Sequence, residues 1–558
     1  MTDDPQTAER IRQARTLGEA APPAPDHPFA SLTAALAHYA ADTARTLLVY
    51  HDDETGTRFA LRYADFAARV AQLSQLLAQE YGITRGARVA TLAYNHPDTV
   101  LIYVACWALG AVVAPQNTAE DDQRIGFILR NAGATLLLAM PEYIDRATQL
   151  AATVPELAHV VPIDVALRAR TEAGDPAFVP ATPPTLADDA LLVYTSGTTG
   201  APKGVLLDQG NLLMDALSIA AHHAIDETTR MMCVLPLHHV NGIVVTLITP
   251  LVTGASVVLC RAFKASLFWR RIAAERVAIV SVVPTLLQFL VEADEDISGH
   301  DLSAFRYSIC GAGTLSVALA ERFHARFGLR VLHGYGLSET TCYSCFLPVD
   351  LSIQEYKRWI SALGYPSIGV PISANEMDIH DAEGRRQMPG MRGEIVVRGP
   401  NVMRGYSGRP DANAEAFRYG WFRTGDEGFY QRDERYGNFF FITGRLKELI
   451  NRGGVKYSPF EIEEVLLGVP GVRVGLAIGF ENVYYGEEVG AYIVRQPGAL
   501  VTIEQILAAC RARMPYAKCP KVVVFGEAIP VTTTGKYQRL QVQSQFAQWI
   551  NTQFRDVP

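Results

Sequence analysis

Clustered positive charge is the first thing this chain lacks. Its 558 residues carry 50 basic side chains against 58 acidic ones, a formal charge of −8. A protein that tracks phosphate backbones needs the opposite balance, so no nucleic-acid partner is expected. Cysteine is also scarce. Cys106, Cys233, Cys260, Cys310, Cys342, Cys345, Cys510 and Cys519 follow no framework spacing. A chain this long needs no disulfide staples, so a reducing, cytoplasmic setting is expected. Residues 1–28 hold acids and prolines but no apolar run. No secretory leader is expected there, and the segment reads as a partly disordered tail. Internal repeats are absent, and so are low-complexity tracts beyond the tail.

Charge is missing locally as well. From Met231 to Cys260 there is no Asp, Glu, Lys or Arg, over a length sufficient to cross a bilayer. His238, His239 and Asn241 near its start, then Pro250 and Gly254, interrupt it. It reads as a buried helix followed by a short buried strand, Ala255 to Cys260, and no membrane span is expected.

What is present alternates. Apolar runs at Thr46 to Tyr50, Arg88 to Ala93 and Ala134 to Ala139 are separated by helical patterns such as Tyr63 to Glu80. A second set follows at Ala278 to Val283, Phe305 to Cys310 and Leu329 to His333. Strands separated by helices imply βαβ units and parallel sheet, an α/β fold. From Gly393 the texture changes to short strands and turns. Beyond Arg445 it becomes a smaller α+β pattern: helix Ser458 to Leu467, strands Val472 to Gly479 and Glu488 to Val494, helix Thr502 to Met514. The length implies more than one domain. The expected division is a tail (1–28), a large domain (29–444), a boundary at 445–448 and a small domain (449–558).

Two stretches carry chemistry on their own composition. Thr195, Ser196, Gly197, Thr198, Thr199, Gly200, Ala201, Pro202, Lys203 and Gly204 lie between the strand-like Leu191 to Tyr194 and a helix expected near Asn211. Glycine N–H groups, hydroxyls and one ammonium suit a polyphosphate. The loop is not a Walker A motif, since no Ser or Thr follows the lysine to meet a metal. By composition alone an exposed connector explains it equally well. The second stretch reads as a hairpin. A turn from Asp433 to Asn438, centred between Arg435 and Tyr436, sets Asp426 opposite Arg445, roughly 5 Å apart at Cβ. The plain alternative is a surface ion pair of little energetic consequence.

The ten-residue loop resembles the phosphate-loop signature of the adenylate-forming superfamily: acyl-CoA synthetases, peptide-synthetase adenylation domains and luciferases. The likeness runs in order from about residue 30 to 545. It implies a large domain of stacked βαβ sheets with a small β-barrel-like region, binding ATP and an acid, and a mobile α+β domain that swings over it. In Gly334, Tyr335, Gly336, Leu337, Ser338, Glu339, Thr340 and Thr341 it implies that Glu339 meets Mg²⁺, Tyr335 and Gly336 border the adenine and Thr340 bonds the α-phosphate. Gly311, Ala312 and Gly313 flank the adenine, and Asp426 and Arg445 hold the ribose. Lys447 is the hinge pivot. Gly453 and Gly454 leave room for a pantetheine arm, which favours coenzyme A. Lys536 is the catalytic lysine, arriving from the small domain.

The same resemblance assigns His239, Asn241, Gly334 and Cys342 to the acyl pocket. Cys342 and Cys345 form a CxxC that reads as pocket lining, outside any thioredoxin-like context. Amino-acid-activating relatives carry an aspartate near His239 to pair the substrate ammonium. Nothing acidic lies between Glu227 and Glu275 here, which favours an uncharged acyl tail. The resulting expectation is an AMP-forming acyl-CoA ligase of carboxylic acid or fatty acid metabolism. A stand-alone enzyme loading a carrier protein is the alternative, and a non-catalytic nucleotide sensor the remote one.

Overall fold

The computed structural model describes residues 4–18, 25–195, 202–293, 295–530 and 537–554. Strands Arg88–Leu92, Val112–Gln116, Leu136–Ala139 and His159–Pro162 pair in parallel, and Asp189–Thr195 joins them beside Val112–Gln116. Successive side chains of a strand point to opposite faces. Val89, Val113, Leu136 and Leu191 therefore enter one apolar core, while Ala90, Val112, Leu137 and Leu192 enter another. This sheet is covered on both sides, as parallel sheets are.

The second sheet runs Thr46–Asp52, Ser256–Cys260, Arg230–Cys233, Ile279–Val282, Tyr307–Cys310 and Val331–Tyr335, all in parallel, with antiparallel strands added at its edges. Both sheets contribute to one large core. Helix Pro97–Ala108 lies within that core and is buried at every residue but Asp98, which explains an apolar sequence with no polar face. The uncharged stretch near 231–260 is buried in the same way. It forms a π-helical segment Asn241–Ile248 and a helix Thr249–Thr253 between two strands of the sheet. Among the described residues no helix is long and apolar enough to cross a membrane.

Residues 5–14, within the stretch read as a partly disordered tail, form helix Pro5–Ala14. Asp4 caps it and Ala14 is fully buried. The Ala14 carbonyl accepts from Gly399 N at 2.8 Å, and Arg15 reaches Asp208 at 2.5 Å. Polar composition concealed a short helix held by docking.

The region expected to be barrel-like is a four-stranded antiparallel sheet of Glu376–His380, Gly393–Arg398, Phe422–Asp433 and Gly437–Arg445. Asp426 does pair with Arg445, but not through the simple hairpin expected from the sequence. Asp433 pairs with Gly437 and Gly428 with Ile442, so the turn is centred on Arg435. Gly437, at φ +83°, closes that tighter turn. A bulge between Glu427 and Gly428 then restores the register. Two offsets of one residue cancel.

Beyond this sheet the large core ends at Phe441, and a separate core begins at Ile450. There Val472–Asn482 and Gly486–Arg495 form an antiparallel pair extended by Val522–Gly526 and covered by helices Pro459–Leu467 and Ile503–Arg513. Polar contacts tie it to the rest. Arg473 meets Glu292 at 3.0 Å and Arg392 meets Glu461 at 3.4 Å. Both Glu464 carboxylate oxygens accept from Val317 N at 3.2 Å, at the start of helix Val317–Phe327. Burial pushes Glu464 up to about 8, with Glu463 and Glu321 adding repulsion. Because the folded value exceeds the unfolded one, stability is full below about pH 4.5 and falls as pH rises toward 8. Glu464→Gln keeps an acceptor for Val317 and removes the ionisation. It should raise the thermal midpoint by about 3 °C at pH 8.5 and leave it unchanged at pH 4, read by calorimetry.

Candidate active site

Thr195 and Lys203, on either side of the central residues of the phosphate-type loop, pair across antiparallel strands Asp189–Thr195 and Lys203–Asp208. Ser196, Gly197, Thr198, Thr199 and Gly200 lie outside the described residues, as does Lys536. The sequence reading ran this loop directly into a helix near Asn211. Strand Lys203–Asp208 intervenes, and the helix, Gln209–His223, begins after a reciprocal cap between Asp208 and Asn211 at 2.7 and 3.0 Å. The strand is buried on both faces, so it shows no alternation to betray it.

Lys203 is held by an aromatic face, its Nζ 4.7 Å from the centre of the Tyr406 ring. The Tyr406 hydroxyl donates to Glu339 Oε1 at 2.9 Å, and Met403 N donates to the Glu339 carbonyl at 2.9 Å. Burial and the neighbouring Glu339 push the Tyr406 hydroxyl far above the ordinary tyrosine value, so it stays a donor. A lysine from the hairpin and a carboxylate from the Gly-rich turn therefore share one tyrosine. Nothing in the sequence around Tyr406 marks it for this place.

Thr340 does not present its hydroxyl as expected. The side chain is fully buried, and Oγ1 accepts from Leu337 N at 3.1 Å and from Ser344 Oγ at 2.9 Å. Thr340 pins the turn. Ser338, one residue before Glu339, is half-buried, with no side-chain hydrogen bond among the described residues. Its hydroxyl is open to a ligand.

Asp426 is 1% exposed, between two donors. Tyr335 Oη donates to Oδ2 at 2.7 Å, and Arg445 Nε stands 3.2 Å from Oδ1. Asp426 is the main cause of a strong upward shift of the Arg445 guanidinium. Oδ1 itself receives no aligned hydrogen bond. A buried carboxylate oxygen with unused acceptor capacity, beside a fork of donors, fits a vicinal diol.

Residues 36–407 match the AMP-binding enzyme family, and residues 461–536 match the C-terminal domain of AMP-binding enzymes. The chain belongs to this adenylate-forming family. It is 34% identical over 467 residues to sulfoacetate–CoA ligase of Cupriavidus necator, covering 83% of this chain and 88% of that protein. It is 32% identical over 497 residues to oxalate–CoA ligase of Arabidopsis thaliana, covering 88% and 94%. The ATP-bound crystal structure of MatB from Rhodopseudomonas palustris superposes with a TM-score of 0.83 at 26% identity, covering 92% of this chain and 98% of that one.

In this member of the family Ala312 takes φ +60°, and a Cβ on Gly336 would run into the Cys342 carbonyl. Gly334 faces the Phe346 ring, where a Cβ would collide with it, so this glycine serves packing. Cys342 is buried, and burial pushes its thiol up. All eight cysteines are free and buried, Cys342 and Cys345 included. The His238 and His239 rings lie 4.3 Å apart, and burial pulls His238 down to about 4, leaving it neutral. Asn241 is buried and donates to Tyr343 Oη at 3.1 Å. Lys447 is exposed in the turn after Arg445. Gly453 and Gly454, at φ +60° and +86°, form the two-residue turn between Ile450–Arg452 and Val455–Tyr457. That turn type requires positive φ at both positions, which accounts for the pair without a ligand. Asp215, unmarked in sequence, lies fully buried behind Tyr343 and accepts from Asn401 Nδ2 at 3.0 Å. Burial pushes it well above the carboxylate range.

Proposed function

We propose that this chain is an AMP-forming ligase that activates a small-molecule carboxylic acid with ATP and transfers the acyl group to coenzyme A. The observation that carries the nucleotide half is Asp426, a buried carboxylate with spare acceptor capacity between Tyr335 and Arg445. Coenzyme A as acceptor is supported by the CoA-ligase relatives.

The acid's carboxylate oxygen bonds to the α-phosphorus as the bond to the β-phosphate oxygen breaks, releasing pyrophosphate. The CoA sulfur then bonds to the acyl carbon, AMP leaves, and the thiol proton passes to solvent. Asp426 and Arg445 hold the ribose hydroxyls, with Tyr335 and Gly311, Ala312 and Gly313 at the adenine. Lys203 and its loop hold the β- and γ-phosphates, and Ser338 donates to the α-phosphate. Lys536 neutralises the charge that develops between the reacting groups. Glu339 fits Mg²⁺, because a hard cation takes carboxylate and phosphate oxygens together. Among the described residues no group of three or more His, Cys, Asp or Glu forms a protein cage for a metal. When bound, the ion neutralises phosphate charge. The two-part core either side of 445–448, with Lys447 in the connecting turn, suits rotation of residues 449–558 between the half-reactions. A cytoplasmic setting, where ATP and CoA are available, fits.

Pyrophosphate release measured over a panel of acids, with free CoA or a phosphopantetheinylated carrier protein, tests this reading. Acid-dependent release with acyl-CoA formation is expected. No release with any acid would overturn it, and acylation of the carrier alone would reassign the acceptor. Ser338→Ala should lower kcat about tenfold, the loss of one charge-assisted hydrogen bond, with an unchanged melting temperature. Thr340→Ala should lower the melting temperature.

A further inference from the structure

Just past the nucleotide motif the backbone is forced into an unusual shape. Thr341 is β-branched yet has φ +66°, a conformation that persists only where surrounding contacts impose it. Its Oγ1 donates to the Asn401 carbonyl at 2.6 Å. The Asn401 amide lies 3.0 Å from Asp215 Oδ1 and 3.3 Å from the Tyr343 carbonyl, and Tyr343 N lies 3.4 Å from Asp215 Oδ2. This clamp drives the Tyr343 side chain inward. The ring packs on Phe346 at a centroid distance of 4.3 Å, and the hydroxyl lies against Gly311, where any Cβ would clash with it. Tyr343 Oη accepts from Asn241 Nδ2 at 3.1 Å, and Asn241 Oδ1 accepts from Ser281 Oγ at 2.7 Å. A loop, the start of the π-helical segment and a parallel strand thus each contribute one neutral polar group to a buried triad.

We propose that Tyr343, fixed by Asn241 and Ser281, is the floor of the acyl pocket and limits the substrate to short acids whose far end is uncharged. This rests on the ligase reading above. The acid's carboxylate must meet the α-phosphate near Ser338, and Gly311 borders the adenine. The Tyr343 ring lies between Gly311 and Phe346, so on this proposal a tail entering from the phosphate ends at the phenol. The triad's hydrogen bonds run to neutral groups only, and His238 is neutral, so a charged tail end finds no partner in it. A hydroxyl or carbonyl does.

The test is pyrophosphate release with acetate, butyrate, octanoate and dodecanoate for the wild type, Tyr343→Phe, Tyr343→Leu and Tyr343→Ala. Wild type should prefer acetate or butyrate over octanoate by at least ~tenfold, since exclusion forfeits about fourfold per methylene left unburied. Tyr343→Phe should keep that cut-off, whereas Tyr343→Ala should raise kcat/KM for octanoate at least ~tenfold. If the alanine chain does not fold, Tyr343→Leu should give a smaller rise in the same direction. Wild type using octanoate as well as butyrate, or a cut-off unmoved in both the Ala and Leu variants, overturns the proposal while leaving the ligase reading intact. No release with any acid removes the ligase reading, and this proposal with it.

Discussion

Asp426→Ala should raise the KM for ATP by about 50-fold and change kcat by no more than a few-fold. Losing hydrogen bonds between a carboxylate and two ribose hydroxyls costs about 1.5–3 kcal/mol, and the ribose is held equally in ground and transition states. Binding therefore falls while the chemical step is spared. The same substitution removes the acceptor of the Tyr335 hydroxyl and the partner of Arg445, at 2.7 and 3.2 Å. Some thermal destabilisation should accompany the kinetic effect, because buried donors are left unpaired. Asp426→Asn separates the two. It retains one acceptor oxygen for Tyr335, so its melting temperature should lie closer to wild type while its KM for ATP stays raised. A steady-state ATP titration at saturating acid reads the difference. A kcat loss with unchanged KM in both variants would remove Asp426 from ribose binding.

This pair also shows how far the sequence reaches. The contact between Asp426 and Arg445 was legible because strand pairing is periodic, although neither the tighter turn at Gly437 nor the compensating bulge was. Alternating runs gave the parallel sheets for the same reason. What stayed hidden depends on contacts between segments far apart in the chain. Tyr406 bridges Lys203 and Glu339 from a short strand with no pattern of its own. Thr340 is a phosphate ligand by resemblance, yet its hydroxyl accepts from Leu337 N and Ser344 Oγ, while the Ser338 side chain makes no hydrogen bond among the described residues. Asp215, unmarked in the sequence, is the buried support of the loop carrying Tyr343. The helix at Pro5–Ala14 escaped because docking, rather than composition, holds it. Periodicity recovers elements and pairings, whereas which polar atom remains unsatisfied is a property of packing.

Lys536→Ala should lower kcat for adenylate formation about 10²- to 10³-fold, the usual cost of removing one group that stabilises transition-state charge. The KM for ATP should hardly move, because a lysine acting only in the transition state adds nothing to ground-state binding. Lys536 lies three residues before Arg539. Arg539 donates to Glu448 at 2.7 Å and to Glu463 at 2.8 Å, and Glu448 adjoins Lys447 in the proposed hinge. The two half-reactions can be assayed separately. If Lys536 serves adenylation alone, the variant given preformed acyl-adenylate and CoA should make thioester at the wild-type rate. Lys536→Arg should restore little, since a planar fork replaces a compact ammonium. Equal losses in both half-reactions would show instead that the substitution disturbs the anchored segment, and the charge-neutralising role would fall.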